Sequence, residues 1–247
     1  MSAVIQAAGL LRAGEAVNVD GDYLDVLGER DAIGPNPGQQ VFRRRAVPKI
    51  YERIWRPLVA RFIFGVSGPR AVKERRIAME MMAVREGDQV IDVGCGPGNY
   101  TRPLALASAS GLTIGLDASE AMVAAAAERG GGENLAYIRG DACALPFGDE
   151  SFDVACSVGV IHLIERPFAA LDEMVRVLAP GGRLAVLATC ARKERQRWKQ
   201  TGVTIFTRDE LTGALRDHGL VEVQQRVFGR GQFVAARKPL QGVGNGG

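Results

Sequence analysis

Long apolar runs are missing from this sequence, and so are most of the residues that build metal sites. No uncharged stretch approaches the ~18–20 residues that a spanning helix needs, which excludes an integral helical membrane protein. Histidine occurs only twice, as His162 and His218. The four cysteines, Cys95, Cys143, Cys156 and Cys190, include no C-x-x-C pair. No metal-ligand pattern emerges, so no bound metal is expected, and the cysteines read as the reduced, partly buried thiols of a cytoplasmic protein. The first eleven residues lack a basic n-region and a clear small-residue cleavage site, so no secretory signal is expected. At 47% hydrophobic and 24% charged over 247 residues, the chain has the balance of a globular protein. That excludes wholesale disorder, collagen and a coiled coil, and the length fits one domain with additions or two small ones.

The net charge of +3 is uninformative as a total, but its distribution is uneven. Residues 1–40 carry two arginines against six acids, whereas residues 41–77 carry eleven basic side chains against Glu52 and Glu74. A basic segment on a near-neutral body suggests an anionic partner; a solvated helix face accounts for it equally well. Nucleic acid is not expected as that partner, because no binding module and no aromatic stacking platform accompanies the charge.

Residues 1–40 are rich in glycine and proline without a sustained period and read as a loose arm with one short helix at most. In residues 47–63, Val47, Ile50, Tyr51, Ile54, Leu58 and Phe62 form one helical stripe, interrupted by Pro57. Lys49, Arg53, Arg56 and Arg61 lie between them. A helix is expected over 70–84. From Gly87 the pattern alternates. Strands are expected at 89–93, 112–116, 135–138, 152–157 and 183–188, with helices at 118–128, 167–178 and 210–218. Two further strands, 221–227 and 232–236, form an antiparallel hairpin around Gly229–Gly231. The expected fold is α/β: a doubly wound, mostly parallel sheet of seven strands closed by that hairpin, with an N-terminal helical extension. The expected organisation is an arm at 1–40, a basic helical cap or lid at 41–84, a core domain at 85–240 and a tail at 241–247.

The chemistry concentrates where the first core strand ends. Residues 90–99 run from strand into a turn containing Gly94, Gly96 and Gly98, then into a helix. Glycines there permit close backbone approach by a ligand. Asp117 ends the next strand, 23 residues after Gly94, and overhangs the same crevice, where a carboxylate can accept both hydroxyls of a ribose. A nucleoside-containing cofactor is therefore expected. The dinucleotide fingerprint requires a third glycine at position 99, which is Asn99. Asp92 is an unwelcome like charge for a pyrophosphate but suits a cationic amine.

These residues resemble the class I S-adenosylmethionine-dependent methyltransferases, which have a Rossmann-like fold. Asp92, Gly94, Gly96 and Gly98 match the form D-x-G-x-G-x-G. Residues 140–147 (GDACALPF), 151–154 (SFDV) and 176–182 (RVLAPGG) match three further motifs in order. The similarity spans about residues 85–237 and is strongest to the branch of ubiquinone and menaquinone biosynthesis. It implies S-adenosylmethionine as cofactor, with Asp92 on the methionyl ammonium and the turn including Gly94, Cys95 and Gly96 beneath the methionine and ribose. It further implies Asp117 on the ribose hydroxyls, Ala118, Asp141 and Ala142 around the adenine, Ser157 on the methionine side, and Tyr51 as a cap. Asp141 could instead cap its own turn. His162 is the candidate catalytic base, with a helix-start histidine satisfied by backbone as the alternative; His218 reads as structural. The expected function is O- or C-methylation of a small or lipid-like acceptor by in-line displacement, a non-catalytic cofactor-binding protein being the alternative. Acceptor contacts are expected from residues 41–84 and 191–205, the latter carrying Arg192, Lys193, Arg195, Arg197, Trp198 and Lys199. Residues 41–66 are a candidate for peripheral membrane contact, and simple packing of their stripe on the sheet is the other reading.

Overall fold

Short aliphatic strands separated by amphipathic helices assemble as the alternation requires. In the computed structural model the described residues are 2–13, 15, 17–20, 22–29, 71–130, 132–191 and 202–240. The expectations for Tyr51, the stripe at 47–62, the basic loop at 192–199 and the tail lie outside them. The described elements are α1 (Ala3–Gly9), β1 (Asn18–Asp20), β2 (Tyr23–Asp25), α2 (Ala71–Met82), β3 (Gln89–Val93), α3 (Thr101–Ala107), β4 (Leu112–Asp117), α4 (Glu120–Glu128) and β5 (Leu135–Arg139). There follow β6 (Phe152–Val158), a 3-10 turn (Ile161–Leu163), α5 (Pro167–Arg176), β7 (Leu178–Thr189), α6 (Arg208–Asp217), β8 (Val221–Phe228) and β9 (Gly231–Arg237).

One sheet runs in the order β1-β2-β5-β4-β3-β6-β7-β9-β8. Every pair from β2 to β7 is parallel; β1–β2, β7–β9 and β9–β8 are antiparallel. The chain enters the parallel core at β3, builds outward through β4 and β5, then returns to place β6 on the other side of β3. The crevice at the carboxyl ends of β3 and β6 is thus the topological switch point where α/β sheets take their ligands.

Helices cover both faces. On one face Ala3 and Ala7 of α1, Leu171 and Met174 of α5, and Leu211 and Leu215 of α6 pack on Ile91, Ile114, Leu184 and Val186. On the other, Ile77, Met81 and Met82 of α2 and Leu104 of α3 meet Val90, Val154, Cys156 and Leu187. Successive strand residues alternate between the two layers, as a pleat with both faces buried requires. The capping pattern at Thr207 is present: the Glu210 carboxylate accepts from the Thr207 N–H at 2.6 Å and opens α6.

Among the described residues the sheet has nine strands, not seven, and the described part of the N-terminal extension is not purely helical. The two additional strands are three residues each and sit among Asp20, Gly21, Asp22 and Asp25, which read locally as turn. Three residues are too few for alternation to register. They are strands because β2 docks in parallel on β5, burying Tyr23 and Leu24. The terminal hairpin also inserts its second strand first: β9 pairs β7 and is almost wholly buried, leaving β8 at the edge. That edge is broken by a register shift between Val221 and Gln224, with Glu222 at φ +53°, which blunts pairing with other chains.

Gly111, between α3 and β4, leaves no space for a side chain: a Cβ there would overlap the Asp88 carbonyl oxygen and the Gly87 backbone. Gly111→Ala should lower the unfolding free energy by about 1–3 kcal/mol in urea titration, since backbone must move. The position is at the amino end of the sheet, so ligand affinity at the opposite end should be unchanged.

Candidate functional site

The turn after β3 has three glycines with two different reasons. Gly94, Gly96 and Gly98 all lie in the left-handed region, at φ +77°, +53° and +77°. A Cβ at Gly94 would come within 2.5 Å of the Val160 side chain, and one at Gly98 would strike the Tyr137 hydroxyl. At Gly96 it would meet nothing within 4 Å. Gly94 and Gly98 are crowded by protein, whereas Gly96 presents bare backbone to open space. The N–H groups of Gly94 and Cys95 donate to the Leu116 carbonyl at 2.7 and 3.0 Å, locking the turn to the end of β4.

Two carboxylates flank this turn. Asp92, at 1% exposure, accepts from the Thr101 hydroxyl at 2.7 Å on Oδ2 and from the Cys156 thiol at 3.8 Å on Oδ1. Burial pushes its carboxyl up to about 6; the two hydrogen bonds oppose the rise and the charge of Asp117 adds to it. Asp117 accepts from the Gly96 N–H on Oδ2 and from the Ser119 N–H on Oδ1, both at 2.9 Å. Its carboxyl is raised by burial, with the two backbone donors opposing. Cys95 is neutral, its thiol pushed far up by burial, and donates to the Gly96 carbonyl at 3.4 Å.

The other predicted residues surround the same end of the sheet. Ala118 follows Asp117 directly and precedes Ser119, whose hydroxyl accepts from the Met122 N–H and caps α4. Asp141 and Ala142 follow β5. Asp141 Oδ1 accepts from the Cys143 N–H at 2.8 Å, so one of its oxygens is occupied by its own turn, and Ala142 packs on the core. Ser157, near the end of β6, is fully buried, and its hydroxyl has no partner among the described residues. Gly159 follows at φ +75° with open space over it. His162 lies in the 3-10 turn two residues beyond Val160; burial lowers its imidazole to about 4, and Nδ1 has no partner among the described residues. Its carbonyl accepts from the Thr204 N–H at 2.8 Å. His218 is at the surface, where Nε2 meets Asp172 Oδ1 at 2.8 Å.

Four contributors escaped the sequence. Thr101 was legible in principle as a hydroxyl at the start of the helix leaving the turn. Cys156, Tyr137 and Val160 reach the site through strand register and chain packing, for which no local signal exists. Among the described residues no group of histidine, cysteine and acidic side chains could hold a metal ion.

Open backbone at Gly96, two acceptor carboxylates and the unpartnered Ser157 hydroxyl suit a ligand with both a cation and neighbouring hydroxyls. Residues 91–186 match the family described as "Methyltransferase domain". Demethylmenaquinone methyltransferase of Staphylococcus aureus is 31% identical over 186 residues, 62% of this chain and 76% of that one. The chain belongs to the S-adenosylmethionine-dependent methyltransferases. Among solved structures, the (4+2)-cyclase SpnF aligns with a TM-score of 0.63 at 22% identity, over 85% of this chain and 98% of that one. Phosphoethanolamine N-methyltransferase 2 of Haemonchus contortus, in complex with S-adenosylmethionine, aligns at 0.62 and 17% identity, over 80% and 60%. These two likenesses concern the fold. The methyltransferase uses S-adenosylmethionine, the protein residues around Gly96 fit that molecule, and no helix among its described residues is long and apolar enough to cross a membrane.

A buried carboxylate whose pKa is raised from 3.8 to about 6 is a liability in the unliganded methyltransferase. Between those values the folded state binds the proton more readily, so this group lowers stability as pH rises, and the loss is complete above about 6. Asp92→Asn should therefore raise unfolding free energy at pH 7, by up to about 2–3 kcal/mol, with the gain vanishing near pH 4. Denaturant titrations at the two pH values measure it.

Proposed function

We propose that this methyltransferase transfers the methyl group to an oxygen or carbon of a small, amphiphilic acceptor such as a prenylated ring. Bound S-adenosylmethionine supplies an electrophilic methyl group on a sulfonium. In this reading Asp92 takes the ammonium of the methionine end and Ser157 lines that side. The backbone of Gly94, Cys95 and Gly96 passes beneath, Asp117 takes the ribose hydroxyls, and Ala118, Asp141 and Ala142 border the adenine. Tyr51 caps the cofactor. Alignment of the two reactants is the main contribution, since effective molarities of ~10⁵–10⁸ M are attainable by orientation alone.

The observation that carries the reading is the neutral imidazole of His162, two residues along the chain from the Val160 that crowds Gly94, with Nδ1 unpartnered among the described residues and its pKa lowered to about 4. At neutral pH such a group is an uncharged imidazole, whose hydrogen-free ring nitrogen is available to accept a proton from an acceptor hydroxyl as the oxygen or ring carbon attacks. Residues 41–66 supply apolar and cationic contacts to the acceptor and touch an anionic membrane surface, a role supported by their sequence alone. Free cysteines fit a reducing compartment, and the reading puts the enzyme in the cytoplasm at that surface. Residues 85–240 form the catalytic domain in this scheme, with 41–84 as the acceptor-binding cap.

Incubation with labelled S-adenosylmethionine and a lipid and metabolite extract, with and without anionic vesicles, should label an amphiphilic product. Asp117→Ala should raise the Kd of S-adenosylhomocysteine about 10–150-fold in calorimetry, as a charged acceptor of two hydroxyls is lost. Tight binding of NAD instead, or a strictly water-soluble labelled product, would overturn the cofactor and acceptor assignments respectively. His162→Gln should lower kcat by about 10²–10⁴ while leaving the Kd of S-adenosylhomocysteine unchanged. A kcat within error of wild type would remove the base.

A further inference from the structure

Strand register sets three charged residues abreast at the carboxyl end of the sheet. Asp117 on β4 is the register partner of Arg139 on β5, and Arg139 is the partner of Asp25 on β2. The three strands are parallel and about 4.8 Å apart, so the three side chains leave the same face. Arg139 therefore stands between two carboxylates, with a side chain long enough to reach either.

It is committed to the outer one. Arg139 Nη1 donates to Asp25 Oδ2 at 2.8 Å and to the Gly28 carbonyl at 2.8 Å. The other Asp25 oxygen accepts from the N–H groups of Leu27 and Gly28 at 2.9 and 3.0 Å, which shapes the turn that delivers that carbonyl. The ion pair is largely buried, at 15% and 14% side-chain exposure. Asp117 leans the opposite way, toward the Gly96 and Ser119 N–H groups. The arrangement has a cost: Arg139 Nε is buried without a partner among the described residues. A buried donor left unpaired calls for an explanation.

We propose that Asp25 is a positioning residue for the cofactor site: it draws Arg139 away from Asp117 and so keeps the ribose-binding carboxylate open. Released from Asp25, the guanidinium has the carboxylate of Asp117, its register partner on β4, as the acid on its other side. A planar fork on a carboxylate occupies the lone pairs that ribose hydroxyls need. The β1–β2 hairpin is then part of the cofactor machinery through a charge it sequesters rather than through a contact it makes. The inference rests on the proposed role of Asp117.

The test is calorimetry with S-adenosylhomocysteine on the full chain and three variants. Asp25→Asn keeps an oxygen for the Leu27 and Gly28 N–H groups and removes the charged acceptor of Arg139, leaving the guanidinium only the neutral Gly28 carbonyl. It should raise Kd about ten-fold. Arg139→Met should stay within about three-fold of wild type, and the double variant should match Arg139→Met rather than Asp25→Asn. The Arg139→Met arm is the readout a purely structural role would not give: it leaves the Asp25 carboxylate largely buried without its ion-pair partner, so a pair that acted only by holding the hairpin would lose affinity there as it does in Asp25→Asn. If Arg139→Met fails to fold, Arg139→Gln serves in its place. An unchanged Kd in Asp25→Asn, or a double variant as weak as Asp25→Asn, overturns the proposal. Failure of the wild-type protein to bind S-adenosylhomocysteine is a different result: it overturns the Asp117 reading, and this one with it.

Discussion

One carboxylate, Asp117, accepts the N–H of Gly96 on one oxygen and that of Ser119 on the other, and the crevice depends on that sharing. The bond to Gly96 fixes the middle of the glycine turn; the bond to Ser119 fixes the entry to α4. A third tie, the Leu116 carbonyl taking the N–H groups of Gly94 and Cys95, closes the same junction from the backbone side. The ends of β3 and β4 are thereby a single interlocked unit. Gly96 can face open space without collapsing because both of its neighbours in the turn are pinned against Val160 and Tyr137.

That unit is electrostatically uncomfortable. Asp92 and Asp117 are both raised by burial, and the charge of Asp117 adds to the rise in Asp92. Thr101 and Cys156 offset part of the cost for Asp92, as the two N–H donors do for Asp117. In the proposed reading, the ammonium of bound S-adenosylmethionine offsets more of it. The empty site thus carries a stability cost, which is the usual relation between binding sites and stability. His162 is neutral for the same reason that Asp92 is strained: burial penalises whichever form is charged.

The edge of the sheet beyond β5 matters for the same electrostatics. A parallel strand end exposed there would leave Arg139 with no acid on its outer side. The N-terminal hairpin supplies one and covers the edge in the same step, burying Leu24 and Val26 against Ile138 and Leu116. Edge protection and charge placement are therefore met by one short segment.

The alternation from residue 87 onward was enough to place seven strands, both helical layers and the switch point, because each of those elements is long enough for its period to show. The glycine turn, Asp92 and Asp117 were legible because a strand end, tight backbone and an acid at the next strand end form a local pattern with one chemical purpose. What the sequence could not give was whatever depends on register. That Thr101 and Cys156 meet Asp92, and that Ser157 and His162 are left with atoms unpartnered among the described residues, follow from packing across the sheet. The β1–β2 hairpin is the clearest case. Three-residue strands among aspartates are too short for alternation to show, and it is the edge of β5 and its arginine that hold β2, on which β1 then pairs. Periodicity is a property of neighbours in the chain, whereas a strand's partner, and the charge it meets there, is a property of neighbours in space.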